Sequence, residues 1–220
     1  RLLKEKDDTS LYVGSQSAAT PSTGSVVAMK ASDASSIWSV GTDGSVNGLA
    51  VSDSRLFVGG GFTQIAGKEK LRLAALSLSN GALLSWNPQA NDVVLDVAIN
   101  GPFSRLLVGG RFGSADRLLP RSNIAAVSLI DGGASAWSAN VNAPVSSLLL
   151  SADNATLYVG GRFSEIDGLP RNRLAALDVT AVPPNDIVTA WNPDVTGSSV
   201  DALALSSGDE TLYIGGTFSA

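Results

Sequence analysis

The chain has 220 residues, 44% of them hydrophobic and 16% charged, and a formal net charge of −5. Such a composition suits a globular chain and excludes a disordered one, and an acidic chain with no basic stripe lacks the attraction that nucleic acid or anionic lipid demands. It contains no cysteine and no histidine, which removes disulfides, thiolate nucleophiles, cysteine-held metals and the commonest general base and metal ligand.

Residues 1–8 are a mixed charge run with no initiating methionine and none of the apolar core of a secretory signal. The first β-like run is LYVGS, Leu11 to Ser15, followed by SVVAM, Ser25 to Met29, and a run ending at Trp38. A pattern then returns about every fifty residues: LFVGGGF (Leu56 to Phe62), LLVGGRF (Leu106 to Phe112), LYVGGRF (Leu157 to Phe163) and LYIGGTF (Leu212 to Phe218). Each copy is preceded by a short apolar run, as in VSSLLL (Val145 to Leu150). The first three are followed by a polar loop, then RLAAL (Arg72 to Leu76), NIAAV (Asn123 to Val127) or RLAAL (Arg173 to Leu177), then a run closed by Trp86, Trp137 or Trp191. Runs of four to eight residues bounded by Gly, Pro, Asn and Asp are the signature of strands. No apolar run approaches the length needed to span a bilayer.

Four short strands per unit at this period predict an all-β chain, a β-propeller of four-stranded antiparallel blades. The repeats run approximately 11–38 (partial), 46–86, 94–137, 145–191 and 200–218 (partial), about four and a half blades within one repeat domain. The chain stops inside a repeat, so it is expected to be a piece of a longer one. Its two ends are expected at opposite ends of an open arc drawn from a ring of about six to eight blades.

The repeat VGG-x-F, then G-x-x-R-x-x-L-A-x-L, then Trp-Asn-Pro resembles that of a family of bacterial secreted and surface β-propellers of uncharacterised function. The resemblance covers about residues 46–220 and is carried by Gly160, Gly161, Phe163, Gly168, Arg171, Leu174, Ala175, Leu177, Trp191, Asn192 and Pro193. Fungal cortical polarity-marker ectodomains carry a similar repeat. Trp137-Ser138-Ala139 departs from it by lacking Asn-Pro, and the first copy departs by losing the glycine pair. That first copy instead resembles a repeat of pyrroloquinoline-quinone dehydrogenases; the likeness implies shared architecture and carries no cofactor site.

The pairs Gly59-Gly60, Gly109-Gly110, Gly160-Gly161 and Gly215-Gly216 lack the spacing of phosphate-cradling loops. Their recurrence predicts close backbone approach or a bulge. Trp38, Trp86, Trp137 and Trp191 are read as packing residues at the ends of fourth strands, with a sugar-stacking platform as the alternative. Arg111 and Arg162 follow two of the glycine pairs and are candidates for an anion or glycan site. Their other reading is local pairing with Asp116, or with Glu165 and Asp167. Asp96 and Asp201, in the inner strands, are candidates to line a central channel, where a carboxylate could bind a cation. Asn154-Ala155-Thr156 is a glycosylation sequon in a predicted turn.

No catalytic constellation, cofactor site or metal site is evident. The expected function is therefore a non-enzymatic binding module of a secreted or cell-surface protein, meeting a protein or glycan partner through loops such as 113–122 and 180–186. Part of a propeller enzyme, such as a quinoprotein dehydrogenase, and a structural spacer are the alternatives.

Overall fold

In a computed structural model the chain is described at residues 2–4, 9–16, 23–116, 119–181 and 186–219. The charged start at 1 and 5–8, and parts of the two predicted loops, 117–118 and 182–185, lie outside the described residues. Five antiparallel units follow one another. The first comprises β1 (Leu2–Lys4), β2 (Ser10–Gln16), β3 (Gly24–Lys30) and β4 (Ser36–Thr42), paired in that order. The second has β5 (Val46–Ser52), β6 (Arg55–Gly60), a small hairpin of β7 (Gln64–Ile65) and β8 (Lys68–Glu69), and β9 (Leu73–Ser77). The third repeats this with β10 (Val94–Asn100), β11 (Arg105–Gly110), β12 (Ser114–Ala115), β13 (Leu119–Pro120) and β14 (Ile124–Ser128). The fourth does so with β15 (Val145–Leu150), β16 (Thr156–Gly161), β17 (Glu165–Ile166), β18 (Leu169–Pro170) and β19 (Leu174–Asp178). The fifth is the pair β20 (Thr196–Leu205) and β21 (Leu212–Ser219).

The inner strands β5, β10, β15 and β20 lie side by side in chain order, which is the arrangement of propeller blades. Among the described residues β21 pairs only with β20, and no sheet joins it to β1–β4 to close a ring. A 3-10 turn lies at Gly101–Phe103, between β10 and β11.

Three differences from the sequence reading have local causes. The expected fourth strands of the middle blades shrink to single bridges, Leu76↔Leu83, Val127↔Ala134 and Leu177↔Val188, and Trp86, Trp137 and Trp191 lie beyond them. The chain leaves the sheet there because Lys70, Arg121 and Arg171 each donate to carbonyls of that segment: Lys70 Nζ to Trp86 at 2.7 Å, Arg121 to Ser135 at 2.9 Å and Arg171 to Thr189 at 2.7 Å. The polar loop after each of the first three glycine pairs is a hairpin, because it bridges to the preceding blade: Thr42↔Ile65, Ala90↔Ala115 and Val141↔Ile166. The first copy keeps half of its glycine pair, Gly14, whose place beside Val46 leaves no room for a side chain.

The core is divided among the junctions between blades. Tyr12, Val26 and Ala28 of the first blade pack with Leu49, Leu56, Phe62 and Ile65 of the second. Phe57 and Trp86 pack with Val97, Leu106 and Phe112 of the third. Leu107, Ile124 and Trp137 pack with Leu157, Phe163 and Ile166 of the fourth. The first three tryptophans also donate the indole N–H across a junction at 2.9 Å: Trp38 to Leu78, Trp86 to Ser128 and Trp137 to Asp178. Trp191, whose next blade has no third strand, is 40% exposed and meets Tyr158 edge-on at 5.5 Å.

Candidate functional site

The glycine pair builds the site. In each of the last four blades the inner strand is bulged opposite the pair: the register shifts between Val46 and Gly48, Val94 and Asp96, Val145 and Ser147, and Val200 and Ala202. A side chain on the first glycine would strike the bulge valine of the next blade: Val94 at 2.6 Å from Gly59, Val145 at 2.6 Å from Gly109 and Val200 at 2.9 Å from Gly160. A side chain on the second glycine would overlap the backbone carbonyl just before the bulge valine of its own blade: Ser45 for Gly60, Val93 for Gly110, Pro144 for Gly161 and Ser199 for Gly216. Gly215 has no following blade and its nearest neighbour would be Ala202 at 3.6 Å.

A bulge inserts an unpaired residue and re-aims its side chain. Here the inserted residues are Asn47, Leu95, Ser146 and Asp201. All four line one cavity of about 690 Å³, on the strand ends that carry the hairpins. Arg111 and Arg162 line it too. Their backbones are fixed by the same motif, since Arg111 N–H donates to Val93 and Arg162 N–H to Pro144, each at 2.9 Å. The cleft therefore joins Arg111, Arg162 and Asp201, three of the residues singled out in the sequence.

Asp96 is not among them. It is 1% exposed and its Oδ2 accepts the Leu148 N–H at 3.0 Å, tying the third inner strand to the fourth. Its expected place on a channel wall fails because the bulge comes one residue earlier and puts Leu95 there. The expected local pairing of the arginines also fails: neither guanidinium has a partner among the described residues. Asp116 Oδ2 accepts the Ala134 N–H at 3.1 Å, and Asp167 Oδ1 accepts the Asn140 N–H at 2.7 Å. Both carboxylates are drawn to backbone amides of a neighbouring exit segment. Asp201 is exposed and Oδ2 accepts the Ser199 hydroxyl at 2.7 Å. Arg173, just before β19, grips the loop that carries Arg162, donating to the carbonyls of Phe163 at 2.7 Å and Arg162 at 2.9 Å.

A second set of residues escaped the sequence reading. Asp43, Asn91 and Asn142 stand three residues before the bulge valines. Asn91 Oδ1 accepts the Gly113 and Ser114 amides at 2.9 and 3.1 Å, and Asn142 Oδ1 accepts those of Ser164 and Glu165 at 3.0 and 3.2 Å. Asp43 Oδ1 accepts the Thr63 and Gln64 amides, each at 2.7 Å, and Oδ2 takes the Thr63 hydroxyl. Burial alone would raise the Asp43 carboxyl, but these three donors together hold it below the usual carboxylate range. The equal offset from each valine was the available signal; the alternation of Asp and Asn hid it.

Among the described residues no three acidic side chains converge to hold a metal ion, and no helix is long and apolar enough to cross a membrane. Neither a family model nor a curated protein matches the chain. Solved structures do match. The β-propeller domain of Cps50 (Swd1) from Myceliophteria thermophila is similar with a TM-score of 0.65 at 10% identity, over 97% of this chain and 60% of that domain. The C-terminal WD40 domain of Sif2 gives 0.59 at 12%, over 98% and 54%. A Bacteroides uniformis protein described as a 6-phosphogluconolactonase gives 0.54 at 13%, over 97% and 76%. The chain spans less than two thirds of the first two. At such identities the likeness establishes the fold, a β-propeller, and neighbours so different in name leave the function to the site.

Proposed function

We propose that the chain is a non-enzymatic binding scaffold of a secreted or cell-surface protein, whose hairpin-bearing face receives a protein or glycan partner. What supports this reading is a constant frame around a varied lining. Glycine pair, bulge valine and Asx cap recur, while the bulge residue changes from Asn47 to Leu95, Ser146 and Asp201, and the residue after the pair from Gly61 to Arg111, Arg162 and Thr217. Constant positions hold the geometry and varied ones are free to recognise, which is how rigid scaffolds carry binding. The resemblance of the VGG-x-F repeat to surface propellers supports the location.

The test is photo-cross-linking from two hairpin tips, Leu119 and Leu169, 45% and 44% exposed. Phe103, on the opposite strand ends, is the control. In culture medium and surface extracts of the source organism, both tips should capture the same protein or glycan, and Phe103 should capture neither. No capture, or equal capture through Phe103, would refute the reading.

A further inference from the structure

We infer that the central cleft binds a single carboxylate of an acidic peptide segment, clamped between the guanidiniums of Arg111 and Arg162. The inference rests on the scaffold reading above and names the ligand of that face. Three observations carry it.

The first is that neither guanidinium has a partner among the described residues. They line one cavity from adjacent blades. Of the candidate partners, Asp116 and Asp167 are bound to backbone amides instead, and Glu165 makes no ion pair with Arg162 among the described residues. Arginine presents a planar fork of donors that matches a carboxylate, and such charge-assisted pairs are the strong ones. The second is placement. Each arginine follows directly on a glycine pair, and its own N–H is fixed on the carbonyl just before the bulge, that of Val93 or Pro144. The side chains thus start from equivalent, rigid points one blade apart, which lowers the ordering cost of binding.

The third is charge. The chain is acidic overall, yet this cleft holds two cations against one carboxylate, Asp201. A net excess of one positive charge suits a monovalent carboxylate. A dianionic phosphate would exceed that excess and meet stronger repulsion from Asp201 than a monoanion does. Asp201 has a second oxygen to accept a peptide N–H, with the Ser146 hydroxyl on the same wall. No aromatic side chain lines the cleft, so a sugar ring has no face to stack on. These features favour peptide over acidic glycan.

The experiment is an NMR titration of the whole chain, reading the Nε–Hε signals of Arg111 and Arg162. The probe is acetyl-Gly-Gly-Glu-Gly-Gly-amide, run beside its glutamine and phosphoserine counterparts and beside galacturonate. The glutamate peptide should shift both signals saturably, and the glutamine peptide should shift neither. Arg111→Gln or Arg162→Gln should weaken binding by about tenfold or more, and added salt should weaken it further. Both side chains are exposed, so the variants should unfold at the parent's temperature, which is checked in the same samples. Asp201→Asn should improve binding of the phosphoserine peptide relative to the glutamate one. The inference is overturned by no shift up to ~10 mM glutamate peptide, by equal shifts with glutamine, or by a stronger response to phosphoserine or galacturonate. If the titration fails while Leu119 and Leu169 still capture a partner, the carboxylate ligand is wrong and the scaffold stands. If both fail, both are wrong.

Discussion

The glycines of this chain are not equivalent, and the difference is measurable. A methyl group at Gly161 would overlap the Pro144 carbonyl and crowd Phe163. Backbone cannot rotate away as a side chain can. Gly161→Ala is therefore expected to destabilise by roughly 2 kcal/mol, seen as a lower urea midpoint. Gly215→Ala meets only Ala202 at 3.6 Å and should stay within about 0.5 kcal/mol of the parent. Equal effects at the two positions would contradict the bulge argument. The tryptophans offer a parallel contrast. Trp137→Phe keeps a ring in the core but leaves the Asp178 carbonyl without its indole donor, at a cost of about 1–3 kcal/mol. Trp191, half outside the fold with no indole bond across a junction, should tolerate the same change with little loss.

At the scale of the element, the small hairpin in each of the three middle blades depends on one Asx side chain of the preceding connection. Asp43 accepts three donors there and its carboxyl lies low for that reason; Asp178 is lowered first by the Thr180 hydroxyl and then by the Thr180 and Ala181 amides, against some burial. A carboxyl whose folded value lies below its unfolded one adds stability above about pH 4. That stability is lost as pH falls through the depressed folded value. The urea midpoint should accordingly decline below about pH 4. Asp43→Asn should flatten part of that decline while costing little at neutral pH. Asn91 and Asn142 already do the same work with the same amide oxygen. If Asp43→Asn lost the hairpin at neutral pH, the equivalence of the three caps would be wrong. The strands themselves were legible because glycine, proline and β-branched runs mark them. The hairpins were not, because SEIDGLPRN has no apolar alternation and pairs only through a neighbouring blade. Asp96 and Leu95 show the same limit within a strand: alternation assigns faces correctly until a bulge shifts it by one, and a bulge leaves no letter of its own beyond the glycines opposite.

At the scale of the molecule the repeat period was enough for the propeller, since each unit can bury its apolar face only against its neighbours. Which varied positions share one cleft was not legible, because that depends on all four bulges pointing to one axis. The outer edge of β21 has no ladder partner among the described residues, and Tyr213 on it is 60% exposed. Unpaired edges template association. Sedimentation should show concentration-dependent self-association, reduced by Tyr213→Lys; a strict monomer over the whole range would contradict this.

The division of the core among separate junctions has a further consequence. Each blade is held by its immediate neighbours, so protection from amide hydrogen exchange should follow a nearest-neighbour sum, as in a linear array of coupled units. The third blade, flanked on both sides, should exchange last. The two-stranded fifth blade, with one neighbour, should exchange first, and opening should travel inward from the ends as a zipper does.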